Sequence, residues 1–118
     1  MMQQCQEFEM FTGTSQWYQI PNSKYVYTDG IKWLLNKIYP DNLEKQKWFL
    51  NTCTYYNDFH NPFTSIKLIF DKKDNQKRIE ITDGDNHIIA TIVPDFELDD
   101  GEYKIFVYNF CIMAASEY

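Results

Sequence analysis

The sequence predicts an α+β fold, in which an antiparallel sheet of four to five strands carries a helical hairpin packed on one face. Apolar residues recur at helical spacing between residues 27 and 56, and two helix-start signals lie in the same stretch. Beyond a loop at residues 57–62 the apolar residues alternate with polar ones, which is typical of strands. Because a chain of 118 residues has a common domain size, we expect residues 1–118 to form a single α+β domain.

The N-terminal region is predicted to contain a short helix over residues 7–11, which ends at Gly13. A strand is expected over residues 14–20, since aromatic and β-branched side chains are frequent there. The Pro-Asn-Ser sequence at residues 21–23 then indicates a turn before the helical region.

The first helix of the predicted hairpin begins after Thr28, whose side chain can cap the free amides of the first turn. Pro40 ends this helix, because proline has no amide hydrogen to continue the backbone pattern. Four apolar residues share one face and are expected to be buried: Ile31, Leu34, Leu35 and Ile38.

The second helix is predicted to begin at Asp41, with Glu44 completing a capping box. Trp48 and Tyr55 lie on its flank, where they either pack against another element or face a partner. Its buried face is expected to consist of Leu43, Phe49, Leu50, Cys53 and Tyr56.

Three strands are predicted in the second half of the chain, over residues 66–70, 79–82 and 88–93. The Asp83-Gly84 pair suits a tight turn between the second and third of them. An acidic connection over residues 95–102 leads to a final segment, which is either one long strand or a hairpin that turns at Asn109.

The net charge of −6 disfavours binding of DNA or RNA through a basic face, because the phosphate backbone is also negative. Cys5, Cys53 and Cys111 are odd in number and contain no CxxC pair, so we expect reduced thiols and a cytoplasmic protein. No basic segment precedes an apolar run at the N-terminus, and the longest apolar tract is shorter than the roughly 20 residues that span a membrane. We therefore expect a basic protein partner, and we expect neither binding to a membrane nor a cofactor.

Catalytic interpretations have only weak support in the sequence. A nucleophile would require Cys53 or Cys111 beside His60 or His87, but both cysteines fall at predicted core positions. A metal site built from His60, Asp58, His87 and Asp85 has suitable ligand types but no diagnostic spacing. A hydrolase with paired acids is also weakly supported, because nothing in the sequence places two carboxylates at a catalytic distance. We therefore expect no catalytic residue and no metal site.

Two sets of residues are candidates for partner binding. The acidic set consists of Asp83, Asp85, Asp95, Glu97, Asp99, Asp100 and Glu102. These residues form either a solvated loop region or a surface that attracts a basic partner. The aromatic set consists of Trp33, Trp48 and Tyr55. Trp33 lies off the buried face of the first helix, and we expect it to be exposed and to anchor an interface.

Several short motifs resemble a family of small uncharacterised proteins, a domain of unknown function found in bacteria, plasmids and phages. The matching segments are Phe11-Thr12-Gly13-Thr14, Trp17-Tyr18, Tyr27-Thr28-Asp29-Gly30, Trp48-Phe49-Leu50, Asp83-Gly84, Asp95-Phe96 and Ser116-Glu117-Tyr118. The chain departs from the family at Asn109-Phe110, where Asn-Gly is expected, and at Ala115, where proline is usual. The resemblance implies an intracellular protein of mobile elements and brings no established activity.

The leading hypothesis is a non-enzymatic protein-binding protein of a mobile element, which inhibits a host nucleic-acid-handling defence effector such as a CRISPR nuclease. One alternative is a small hydrolase that uses histidine or paired carboxylates. Another is a self-associating structural protein, which would be favoured if Trp33 and Trp48 were buried in a symmetric homodimer.

Overall fold

Seven strands form one mixed sheet in the computed structural model, which describes Phe8 and residues 10–118. The strands are β1 (Trp17–Gln19), β2 (Val26–Thr28), β3 (Phe63–Asp71), β4 (Gln76–Thr82), β5 (Ile88–Ile92), β6 (Gly101–Tyr108) and β7 (Cys111–Ala114). Two helices of the described part, α1 (Asp29–Ile38) and α2 (Leu43–Tyr55), lie between β2 and β3, and a 3-10 turn (Ala115–Glu117) follows β7. Cys5 and part of the predicted N-terminal helix lie outside the residues that the structure describes.

The predicted sheet of four to five antiparallel strands is wrong. The strand order is β1-β2-β7-β6-β3-β4-β5, and β2 runs parallel to β7 while the other pairs are antiparallel. β1 and β2 contain three residues each, which is too short for an alternating pattern to be recognised. Their place in the sheet depends on pairing with β7, more than 80 residues away in sequence.

The predicted helical hairpin is also wrong as a packing arrangement. α1 packs mainly on β2 and β7, and few contacts join it to α2. The burial of α1 nevertheless follows the predicted face, because Ile31, Leu34, Leu35 and Ile38 are all buried. α1 therefore uses its apolar face against the sheet rather than against α2.

The start of α2 differs from the prediction by one residue. Asn42 caps the helix, and its side-chain oxygen accepts a hydrogen bond from the Lys45 amide (3.1 Å). Asp41 instead adopts a left-handed conformation with φ of 57°. Phe49, Leu50 and Cys53 are buried as predicted, whereas the predicted core residue Leu43 is exposed because it lies in the first turn.

The core lies between the helices and one face of the central strands. Alternate residues of β3, β4 and β6 face it, and their cross-strand pairing keeps them in register, as in the pairs Ile66–Ile81 and Ile66–Ile105. Phe96 and Leu98, from the acidic connection, are buried in the same core. The hydrophobic residues of this connection therefore tie it to the sheet.

The final segment forms a hairpin, with Asn109 and Phe110 as the two-residue turn between β6 and β7. Both turn residues have positive φ, 53° for Asn109 and 60° for Phe110, as a type I′ turn requires. Asparagine tolerates this conformation, whereas a bulky side chain such as phenylalanine is strained in it. The Phe110 ring packs edge-on against Tyr25 (5.3 Å between centroids) and under the Lys24 ammonium group (5.0 Å), which offsets part of the strain.

We expect Phe110→Gly to be more stable than Phe110→Ala by about 1 kcal/mol. Both variants lose the ring contacts, but only glycine adopts positive φ without a steric penalty from Cβ. Denaturant melts of the two variants measure the difference. A Phe110→Ala variant of equal or greater stability would show that the turn is not strained.

Candidate functional site

The predicted acidic residues lie at opposite ends of the sheet. Asp83 and Asp85 belong to the turn between β4 and β5, whereas residues 95–102 follow β5 and lead to β6. The seven residues of β4 separate the two ends by about 23 Å, at roughly 3.3 Å per residue. The structure therefore divides the acidic set into two separate groups.

Several of these carboxylates are paired with lysine within the chain. Lys45 contacts Asp95 (2.9 Å between Nζ and Oδ2), and Lys77 contacts Glu97 (2.8 Å between Nζ and Oε1). Glu102 lies near two further lysines, Lys67 at 3.7 Å and Lys104 at 4.0 Å. Exposed pairs of this kind add little stability, but they reduce the negative field near the acidic connection.

The remaining acidic residues have local structural roles. The Asp100 carboxylate accepts a hydrogen bond from the Lys72 amide (3.0 Å), and the Asp99 carbonyl accepts one from the Tyr103 hydroxyl (2.9 Å). The Asp83 carboxylate accepts from the Asp85 amide (2.8 Å) and lies 3.1 Å from the His87 ring, which lowers the pKa of Asp83. These bonds order the loops at both ends of the sheet.

The three predicted aromatic residues have different environments. Trp33 is half-buried between Phe8 and Phe11, with ring centroids about 6 Å apart, so it lacks the exposure that we expected. Tyr55 is 77% exposed and contacts Tyr56. Trp48 is 44% exposed and, unlike Tyr55, it lines a cleft.

This cleft, which we call the Trp48 cleft, brings together Trp48 of the aromatic set and Asp95 of the acidic set. It is lined by Tyr39, Glu44, Lys45, Trp48, Val93 and Asp95. The Tyr39 hydroxyl donates a hydrogen bond to the Asp95 carboxylate. This bond and the Lys45 ammonium group lower the pKa of Asp95, so the carboxylate is held in its ionised form at the edge of the cleft.

A second depression, the aromatic groove, was not predicted from the sequence. It has a volume of about 720 Å³, and its walls come from the loop after α2, the residues just before β2 and the β6–β7 turn. Its lining residues are Lys24, Tyr25, Asn57, Asp58, Phe59, Pro62, Tyr108, Asn109 and Phe110. The signal in the sequence was the presence of Phe59 and Phe110 in turn-forming stretches, where large aromatic residues are unusual.

Buried Asn57 positions one wall of the aromatic groove. Its side-chain oxygen accepts a hydrogen bond from the Tyr25 hydroxyl (2.8 Å), and its side-chain amide lies within bonding distance of Thr64 Oγ1 (3.0 Å) and the Val107 carbonyl (3.1 Å). These bonds connect the loop after α2 to β3, to β6 and to Tyr25 just before β2. Phe59 projects from this loop and is 93% exposed.

The two candidate cysteines lack the lowered pKa of an activated nucleophile. Cys53 is buried, and burial raises the pKa of its thiol, so it remains protonated. Burial also raises the pKa of Cys111. His60 lines a shallow depression with Asp83 and Asp85, but no group of three or more histidine, cysteine or acidic side chains in residues 8 and 10–118 is placed to hold a metal ion.

Three segments that carry the sequence motifs meet at the beginning of α1, which we call the α1 junction. Two carboxylates organise it: Asp29, in the first turn of the helix, and Glu117, near the end of the chain. Asp29 accepts hydrogen bonds from the Ser15 amide (3.0 Å) and the Tyr18 hydroxyl (2.9 Å). These donors lower the pKa of Asp29 to about 2.

Glu117 occupies the other side of the α1 junction. Its carboxylate accepts hydrogen bonds from the Thr28 hydroxyl (2.6 Å), the Gly30 amide (3.2 Å) and the Ala114 amide (2.9 Å). Thr28 is therefore the N-cap as predicted, but its hydroxyl donates to Glu117 instead of capping the helix. A side chain at position 30 would collide with the Glu117 carboxylate, which explains the glycine there.

Comparison with known proteins identifies a family but no activity. Residues 2–118 match the model of DUF6876, a family of unknown function. No curated protein and no solved structure matches the chain. None of the helices in the described part of the chain combines the length and apolar character needed to cross a bilayer.

We expect Glu117→Ala to destabilise the fold by about 1–3 kcal/mol, because it leaves three hydrogen-bond donors without their acceptor. Ser116→Ala is a matched control, since the Ser116 hydroxyl makes one long bond to the Phe8 carbonyl (3.5 Å). Denaturant melts of both variants measure the effect. Equal stabilities of the two variants would contradict the role of Glu117.

The contribution of Asp29 to stability is expected to depend on pH. Since its folded pKa lies near 2, below the ordinary value of 3.8, the contribution is present above pH 4 and is lost as the pH falls towards 2. The melting temperatures of the wild type and Asp29→Asn should therefore differ at pH 5 and converge near pH 2. A difference that stays constant down to pH 2 would show that Asp29 is not the titrating group.

Proposed function

Because the chain belongs to the DUF6876 family, whose description carries no activity, we propose its function from its surface: it is a non-enzymatic protein that binds a basic protein partner. The observation that carries this proposal is the composition of the Trp48 cleft. Trp48 and Val93 supply exposed apolar area there, and Glu44 and Asp95 supply negative charge.

The Trp48 cleft has the properties of a protein-binding hot spot. Tryptophan is enriched at such sites, because it buries a large area at low cost in side-chain entropy. Val93, directly after β5, is 74% exposed, and Trp48 on α2 is 44% exposed, so both side chains are accessible. A lysine or arginine of the partner can pair with Glu44 or with the Asp95 carboxylate, while its aliphatic chain covers Trp48.

The charge of the whole chain favours the same class of partner. A net charge of −6 accelerates association with a basic protein and slows association with nucleic acid. Proteins that handle nucleic acid carry basic surfaces. We propose that the chain is an intracellular protein of a mobile element that inhibits such a protein, namely a host defence effector of the CRISPR nuclease kind.

The two alternative functions have less support. A hydrolase that uses histidine or paired carboxylates is supported by the depression that His60 lines with Asp83 and Asp85, but Cys53 is buried, and Asp95 and Glu97 pair with lysines. A homodimer built on Trp33 and Trp48 would require both rings at the surface. Trp33 instead packs against Phe8 and Phe11 within its own chain.

We expect Trp48→Ala to weaken capture of the partner at least tenfold, with an unchanged melting temperature. Tyr55→Ala, on the same helix but away from the cleft, is the matched control and should capture the partner normally. The measurement is affinity capture from a bacterial host, followed by binding of the purified partner to each variant. Inhibition of DNA cleavage by a guide-loaded CRISPR nuclease then tests whether the chain inhibits a defence effector. In this assay too, Trp48→Ala is the test variant and Tyr55→Ala is the control.

Equal capture by the wild type and Trp48→Ala would exclude the Trp48 cleft as the binding site. An acidic captured partner would contradict the proposed partner class. Uninhibited cleavage by every nuclease tested would leave a binding protein without the proposed inhibitory role.

A further inference from the structure

β5 is the outermost strand on one side of the sheet. Within residues 8 and 10–118, no other strand pairs with its outer edge. Backbone amides and carbonyls along such an edge can pair with another strand. Protein edges are usually protected from this pairing by charged side chains, proline or a bulge.

The β5 edge has little of this protection over half its length. Residues 86–94 contain no lysine, arginine, aspartate or glutamate, and several side chains around the strand are exposed and aliphatic: Ile88, Ile89 and Val93. The register between β4 and β5 shifts at Ile81 and Thr82, which places an irregularity opposite the first residues of β5. Regular pairing with a new strand is therefore available over residues 90–93, and Pro94 ends it.

Acidic residues stand at both ends of this uncharged edge. Asp83 and Asp85 precede β5, and Asp95 and Glu97 follow it. Asp95 and Glu97 keep more than half of their side-chain surface exposed despite their lysine partners. An extended segment laid along β5 would therefore have carboxylates near both of its ends.

This arrangement of charges disfavours a second copy of the chain as the occupant. A symmetric dimer through this edge requires antiparallel pairing of β5 with itself. In such an antiparallel pair the acids before β5 of one copy lie beside the acids after β5 of the other, so like charges gather at both ends. A segment with basic residues at its ends meets opposite charges instead.

We propose that β5 accepts a short extended segment of the partner as an eighth strand, and that this segment is apolar at its centre with lysine or arginine at both ends. The inference rests on the proposed function and specifies how the basic partner is bound. Backbone hydrogen bonds to residues 90–93 supply affinity, and the two acidic ends supply selectivity. The Trp48 cleft continues this surface, because Val93 lines the cleft and follows β5 directly.

The test uses a synthetic peptide and needs no natural partner. The probe is the capped heptapeptide Lys-Val-Thr-Val-Thr-Val-Lys, and its charge-reversed control carries glutamate at both ends. A third peptide has the lysine ends but is N-methylated at alternate residues, which removes backbone donors without changing charge. Binding is followed by amide chemical shifts and by hydrogen exchange of residues 88–93.

We expect the lysine peptide to bind at least tenfold more tightly than the glutamate peptide at low salt, with slower exchange of the β5 amides. The N-methylated peptide should lose this binding. Thr91→Lys should weaken binding of the lysine peptide, whereas Asn51→Lys, with the same charge change on α2, should not. Equal binding of the two charged peptides, or shifts confined to residues outside β5, would overturn the proposal.

Self-association is a further outcome of the same experiment. Sedimentation of the wild type that reveals a dimer, abolished by Thr91→Lys but not by Asn51→Lys, would also overturn the proposal in favour of a second copy. Failure of the peptide test is distinguishable from failure of the proposed function. A basic partner whose capture depends on Trp48 would still support the proposed function without strand addition.

Discussion

The rest of the structure depends on the two carboxylates at the α1 junction. Asp29 joins the beginning of α1 to the segment before β1, and Glu117 joins it to the end of β7 and the last turn of the chain. A helix N-terminus carries free amides and a partial positive charge, so it is a favourable place for a carboxylate. The junction therefore fixes the parallel pairing of β2 with β7, which joins the short N-terminal strands to the main sheet.

The fold divides the acidic residues and pairs some of them with lysines, so they do not form one acidic surface. In the sequence the acids of residues 83–102 form one group, but in the fold they are split between the two ends of β4 and β5. Asp95 combines three roles: it bonds to Tyr39, pairs with Lys45 and lines the Trp48 cleft. Its replacement would disturb the fold as well as the surface, so Trp48 separates binding from stability more cleanly.

The aromatic groove illustrates how backbone strain is maintained by surrounding contacts. Phe110 adopts a left-handed conformation that glycine would adopt without strain, and its ring contacts Tyr25 and Lys24. Tyr25 in turn donates to Asn57, which holds the loop that carries Phe59. One continuous set of contacts thus holds the exposed side chains of Phe59 and Phe110. Both lie at the end of the sheet where the β6–β7 turn is found.

The sequence by itself determined the local features: the buried face of α1, the alternating strands β3 and β4, and the turn at Asp83-Gly84. These depend on interactions within a few residues, which periodicity and turn chemistry describe. It also named Trp48 and Asp95 as candidates for partner binding, but it did not predict that they line one cleft. Tertiary structure alone decided the parallel placement of β2, the separation of the two helices, the partial burial of Trp33 between Phe8 and Phe11, and the division of the acidic residues. Each of these results from contacts between residues distant in sequence, and the local pattern carries no information about such contacts.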